Sequence, residues 1–169
     1  DAAGCNGVAI DSGRGRAYVA NGLSGDLSVV DSEGGTCLPA VPLGREPLDL
    51  GVDSRDGTIY VSNYGAGSIS MVDGQFLTET LTLQVGTSPA GLLVDSYRER
   101  LVVANHHPLF DSLSFISLQT CDEEAAVSVA PGPYGLALDP VSGFVYSANT
   151  IGRSVSIVDS RGRLVGDLP

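Results

Sequence analysis

Tyr18-Val19-Ala20-Asn21 returns as Tyr60-Val61-Ser62-Asn63, Val102-Val103-Ala104-Asn105 and Tyr146-Ser147-Ala148-Asn149, and the asparagines recur after 42, 42 and 44 residues. A period in this range, made of β-branched and aromatic runs rather than helical stripes, belongs to propeller blades or a β-solenoid. Everything else in the chain falls into register with these four short segments.

Working outward, a proline-led apolar run precedes each segment, as in Pro47-Leu48-Asp49-Leu50-Gly51-Val52 and Pro133-Tyr134-Gly135-Leu136-Ala137-Leu138; the first copy has Cys5 in place of the proline. A turn rich in Asp, Ser, Gly and Arg links that run to the asparagine segment. A third run follows: Leu27-Ser28-Val29-Val30-Asp31, Ile69-Ser70-Met71-Val72-Asp73, Leu113-Ser114-Phe115-Ile116-Ser117 and Val155-Ser156-Ile157-Val158-Asp159. Its alternation of apolar and small polar residues predicts a strand. A fourth, more variable run closes each unit, giving a strand roughly every 10 residues, the spacing of all-β folds with tight turns.

One four-stranded meander of this size cannot bury both of its faces, whereas stacking equivalent units radially does. The sequence therefore predicts an all-β chain, a β-propeller of four-stranded antiparallel blades, with repeats at 5–46, 47–88, 89–132 and 133–168. An immunoglobulin-like sandwich is the competing all-β reading and needs no fixed self-similarity.

The pattern P-x-x-L-x-x-D, then Y-V-x-N, then S-x-x-V-D, then V-G-x-x-P resembles the YVTN-type β-propeller repeats of secreted, periplasmic and surface-layer proteins. The likeness spans nearly all 169 residues. Val102 for the tyrosine, Ser117 for the aspartate and Ser147 for the valine are local departures. The resemblance implies a ring of around seven blades, within the range propellers adopt. Two alternatives follow, a four-bladed ring or part of a longer chain. The second is the expectation, since an open arc leaves blade faces to be covered. Val165-Gly166-Asp167-Leu168-Pro169 reads in phase with Val85-Gly86-Thr87-Ser88-Pro89, which leaves the last outer strand short or missing.

A hydrophobic content of 43% suits a buried core. No apolar run approaches the ~20 residues of a membrane-spanning helix. A net charge of −11, with all nine basic residues arginine, argues against nucleic acid and anionic membrane surfaces as partners. It suits a solvated extracytoplasmic domain, the localisation that the family resemblance also implies. Asp1-Ala2-Ala3-Gly4-Cys5 lacks the apolar stretch of a lipoprotein leader, so any signal peptide is expected upstream. Cys5, Cys37 and Cys121 match no zinc or haem motif, and their disulfide status stays open.

Up-and-down strand order places the turns after each asparagine and the links between blades on one side of the molecule. Binding residues concentrate in such loops. The insertion His106-His107-Pro108-Leu109-Phe110-Asp111 is two residues longer than its equivalents and holds both histidines. Tyr64, His106, His107, Phe110, Asp111 and Arg153 are the candidate partner contacts. Adjacent histidines with one nearby carboxylate make a poor metal site, and the asparagines are expected to brace their turns. The turns on the opposite side, among them Arg14, Arg16, Arg98 and Arg100, read as an ordinary solvated surface.

No nucleophile with a base, and no cluster of acids and histidines, is evident; Asp49 stands alone among apolar inner-strand residues. The sequence leads to the expectation of a non-catalytic, extracytoplasmic binding or structural subunit of a larger assembly, with no cofactor and a protein partner. The alternative is a propeller enzyme of lactonase type, or an electron-transfer partner, whose site lies in blades outside this sequence.

Overall fold

Alternation in Leu27-Ser28-Val29-Val30 sends successive side chains to opposite faces of an extended chain, which is the geometry of a strand with one face in a core. The computed structural model describes residues 4–106 and 109–169, and every regular element among them is a strand. They form two units, Asp1–Val85 and Gly86–Pro169, and each unit holds two four-stranded antiparallel sheets in chain order. The first unit contains β1 (Cys5–Asp11), β2 (Arg16–Asn21), β3 (Asp26–Asp31) and β4 (Cys37–Pro42), then β5 (Pro47–Val52), β6 (Ile59–Asn63), β7 (Ser68–Asp73) and β8 (Thr78–Gln84). The second contains β9 (Pro89–Asp95), β10 (Arg100–Asn105), β11 (Ser112–Ser117) and β12 (Glu123–Ser128), then β13 (Pro133–Leu138), β14 (Val145–Asn149), β15 (Ser154–Val158) and β16 (Leu164–Leu168). These four meanders are propeller blades, as the repeat predicts.

In the first unit, Tyr18, Ala20, Leu27 and Val29 of blade one interlock with Leu50, Ile59, Val61 and Val72 of blade two, and all are buried. In the second, Val102, Ala104, Leu113 and Phe115 of blade three meet Val145 and Val158 of blade four in the same way. Each fully buried side chain of this kind contributes roughly 1.5–3 kcal/mol of transfer free energy, so blade pairing is the main source of cohesion within each unit.

Residues 164–168 form a last outer strand that is present and, at 5 residues, the shortest of the four, and its pairing corrects the phase that the sequence suggests for it. Leu168 pairs with Val155 and Leu164 with Val158, as Leu83 pairs with Ile69 and Glu79 with Val72. Leu168 thus corresponds to Leu83, and Val165-Gly166 is not the counterpart of Val85-Gly86. The cause is a tighter turn: the Arg163 carbonyl accepts from the Asp159 amide at 2.9 Å, and Gly162 adopts φ +72°. The fourth strand therefore starts earlier than repeat spacing implies.

The arginines read as solvated surface hold neighbouring blades together. Asp-Ser-x-Arg-x-Arg occurs twice, at 11–16 and 95–100. Arg98 donates to the carbonyls of Pro140 (3.4 Å) and Val141 (3.2 Å) of the next blade. Arg100, 6% exposed, donates to Gly143 O (3.0 Å) and Ser160 O (2.8 Å). In the first unit Arg14 reaches the Asp56 carbonyl and Arg16 that of Gly74. Blades two and four carry Asp56, Thr58 and Ser142, Phe144 at these positions, so the clasp belongs to alternate blades.

Candidate functional site

Each asparagine of the repeat donates through Nδ2 to the third strand of its own blade. Asn21 reaches Asp26 Oδ1 (2.7 Å) and Ser28 Oγ (2.8 Å). Asn63 reaches Ser68 and Ser70 (3.2 and 2.8 Å), and Asn149 reaches Ser154 and Ser156 (3.2 and 2.8 Å). In blade three, Asn105 reaches Ser112 (3.4 Å) and Ser114 (2.7 Å), two residues further along the chain because of the insertion. A buried amide with such partners fixes both ends of the loop it precedes. The asparagines are structural braces, as their recurrence suggests.

A second device aligns the links between blades. Gly4, Glu46, Ser88 and Gly132 each precede a first strand, and each lies at positive φ, between +50° and +78°. Their carbonyls accept the amide of the residue after the asparagine: Gly22 (2.8 Å), Tyr64 (2.9 Å), His106 (3.1 Å) and Thr150 (2.7 Å). The register shift at the start of each blade follows from this crossing.

In the first unit, half-buried Tyr64 is anchored by that amide bond, and Arg45 donates to the carbonyl of Gly65 at 2.5 Å. Leu23 extends from the equivalent turn of blade one, 79% exposed. Asp49 Oδ1 accepts from the Leu50 amide at 2.9 Å, and the Asp49 amide donates to Ser62 Oγ at 3.0 Å; it is a strand-pairing residue rather than an isolated acid.

The second unit gathers most of the candidates. His106 Nδ1 lies 3.3 Å from Asp111 Oδ1, and Asp111 Oδ2 accepts from the Gly132 amide at 3.2 Å. Gly132 O in turn accepts from the Thr150 hydroxyl at 3.0 Å, so the loop of blade three, the link and the loop of blade four form one hydrogen-bonded chain. Leu109 and Phe110 project from this anchored base, 76% and 75% exposed, with Ile151 at 64% on the neighbouring loop. His107 lies outside the described residues.

Arg153 departs from the repeat. Gly25 and Gly67, the fourth residues after Asn21 and Asn63, adopt φ +72° and +66°, and Arg153 holds the same place at φ +51°. A long side chain in this conformation costs about 1 kcal/mol that glycine avoids. Arg153 edges a depression of about 340 Å³ whose wall includes Asn149, Thr150 and Val155. The structure thus brings His106 and Asp111 into contact and leaves Phe110 at the surface. Leu109 and Ile151 were missed from sequence because a single apolar loop residue carries no periodic signal. Among the described residues no three His, Cys, Asp or Glu side chains are grouped to hold a metal ion, and the three thiols are not joined in disulfides.

No protein-family model matches the chain, and no curated protein matches it in sequence. Among solved structures it is similar to a chain of hydrazine synthase from Kuenenia stuttgartiensis, with 20% identity, a TM-score of 0.91, and coverage of 99% of this chain and 49% of that one. It is also similar to a protein of unknown function from Desulfotomaculum acetoxidans, with 14% identity, a TM-score of 0.80, and coverage of 97% and 57%. This chain spans about half the length of either. Likeness at this identity shows a shared propeller-type fold and nothing of chemistry.

Proposed function

We propose that this chain is a non-catalytic, extracytoplasmic β-propeller of the YVTN-repeat kind that binds a protein partner through the loops on its asparagine side. The observation that carries this reading is the loop of Leu109 and Phe110. Leu109 and Phe110 are 76% and 75% exposed, and His106, Asp111 and Gly132 are hydrogen-bonded in series beside them. Apolar side chains beside a hydrogen-bonded base gain by burial against a partner, and aromatic residues are favoured anchors in protein interfaces. Arg153, kept in a glycine conformation, supplies a charged contact at the rim.

The test is affinity capture from the secreted and periplasmic fractions of the source cells, comparing the native protein with Leu109→Ser/Phe110→Ser and Arg153→Gly. One stoichiometric partner held by the native protein and lost by both folded variants supports the reading. Equal retention by the variants overturns it.

One observation favours a second reading: the hydrazine synthase chain matched here is about twice as long. A catalytic or redox centre in further blades would make this region the body of an enzyme or electron-transfer partner. Lactone turnover, or a haem absorption band in the native full-length protein, distinguishes that case.

A further inference from the structure

In the second unit a cleft of about 180 Å³ opens between blades three and four. Its walls are the start of β12 and the turn before β16, with Arg100, Phe115, Glu124, Ala125, Ser160 and Arg161 lining it. The floor is a buried cation beside an aromatic ring: Arg100 is 6% exposed and Phe115 2%, with the guanidinium 5.2 Å from the ring centroid. A guanidinium carries five N–H donors. Among the described residues, Arg100 directs three of them to Asp95 Oδ2, Gly143 O and Ser160 O, and the other two have no acceptor.

Opposite charges flank this floor. Phe115 pairs with Ala125 and Ile116 with Glu123, so Glu124 is the extra residue of a β-bulge, a device that re-aims a side chain. The same bulge leaves out Thr80 in blade two and Val165 in blade four; of the three, only blade three has a carboxylate there. On the other rim, the Arg161 amide donates to Asp159 Oδ1 at 2.9 Å. Its counterpart in the first unit, bonded in the same way to Asp73, is the neutral Gln75. Glu124 and Arg161 are both exposed, and among the described residues no ion pair includes either of them. They border one cleft without meeting across it, so a molecule that bridges them must carry a charge of each sign.

We propose that this cleft binds a small zwitterion, a free α-amino acid with a short apolar side chain. Its carboxylate accepts from Arg161 and from the remaining N–H groups of Arg100, its ammonium donates to the Glu124 carboxylate, and its side chain lies against Phe115 and Ala125. Charge-assisted hydrogen bonds are the strong ones, and a guanidinium matches the plane of a carboxylate. The volume is below the roughly 300–1,000 Å³ of sites for drug-sized molecules, which restricts the ligand to a few heavy atoms. The cleft shares no residue with the loops that carry the partner-binding reading, so the two stand or fall separately.

Titration of the isotope-labelled native protein with L-alanine, followed by amide NMR shifts, tests this. N-acetyl-L-alanine, which lacks the ammonium, and L-alaninamide, which lacks the carboxylate, serve as analogues. L-alanine is expected to shift the amides of Ala125, Ser160 and Arg161 saturably at millimolar concentration, and each analogue to bind about tenfold more weakly. Arg161→Gln should weaken L-alanine by about the same factor and leave L-alaninamide unaffected, while Glu124→Gln should weaken L-alanine and leave N-acetyl-L-alanine unaffected. Both sites are exposed, and the spectrum of each variant verifies its fold. Absence of saturable shifts with L-alanine, shifts confined to residues away from the cleft, equal binding of L-alanine and either analogue, or unchanged affinity in either variant overturns the proposal.

Discussion

Arg100 in β10 donates to the carbonyl of Ser160, 2.8 Å away in the turn before β16. The same guanidinium donates to Gly143 O and to Asp95 Oδ2 (3.3 Å) and lies 5.2 Å from the centroid of the Phe115 ring. One side chain thus ties two turns of blade four to blade three.

Because Arg100 is nearly buried, its removal leaves the carbonyls of Gly143 and Ser160 without this donor and takes one of two guanidinium partners from Asp95, which keeps Arg98. Arg100→Met is expected to cost about 3 kcal/mol, read as a lower urea midpoint. Arg98, whose side chain is 21% exposed, makes longer bonds to the same blade, and Arg98→Ala should cost about 1 kcal/mol or less. Equal losses at the two sites would show that burial does not set the strength of the clasp.

Gly86 and Asn105 are fitted to each other. A Cβ built on Gly86 falls 2.8 Å from Asn105 Cγ, and Asn105 cannot retreat while its amide is bonded to Ser114. Gly86→Ala should therefore destabilise by about 1–3 kcal/mol, and Asn105→Ala by a similar amount through its lost hydrogen bonds. In the double variant the collision is gone, so the two losses should fall short of additivity by about 1 kcal/mol or more. Strict additivity in a double-mutant cycle would contradict the contact.

The asparagine brace was legible in the sequence because it recurs in every copy and its serine partners recur with it. The strands were legible for the same reason. Arg98 and Arg100 were misread because a charged turn looks the same whether it faces water or the next blade; only the position of Gly143 and Ser160 decides that. The last strand was misplaced because the turn at Asp159 to Arg163 is tighter than its counterparts, and spacing alone does not register turn type. At the candidate site, the histidine insertion was visible as a break in the period. The left-handed backbone of Arg153 has a signal in the repeat, because Arg153 stands where Gly25 and Gly67 stand in the sister blades.

That position gives a prediction in which stability and binding move in opposite directions. Arg153→Gly relieves the left-handed backbone and should raise the unfolding free energy by about 1 kcal/mol, measured by urea denaturation. If Arg153 serves a partner contact, the same variant binds the partner less well, the trade expected when a functional residue holds a strained site. A variant that is destabilised would show that the arginine side chain contributes more to the fold than its backbone costs.

Three turn aspartates favour the folded state more when ionised than when protonated. At Asp159, the Arg163 side chain, then its amide and that of Arg161, holds the carboxyl below its usual range. At Asp139 the Ser142 hydroxyl and then the Val141 amide do so, and at Asp31 the amides of Gly34 and Glu33. A carboxyl lowered in the folded state stabilises it fully above the ordinary value of 3.8 and loses that contribution as pH falls through the folded value. The net charge of −11 acts with the opposite sign at mild acidity, since protonating repelling carboxylates favours the compact state. Comparing native protein with Asp159→Asn separates the two effects. The native protein should have the higher urea midpoint at neutral pH, and the gap should close as pH drops below about 4. A gap that widens on acidification would mean that the Asp159 carboxylate, bonded as it is to Arg163, does not favour the folded state.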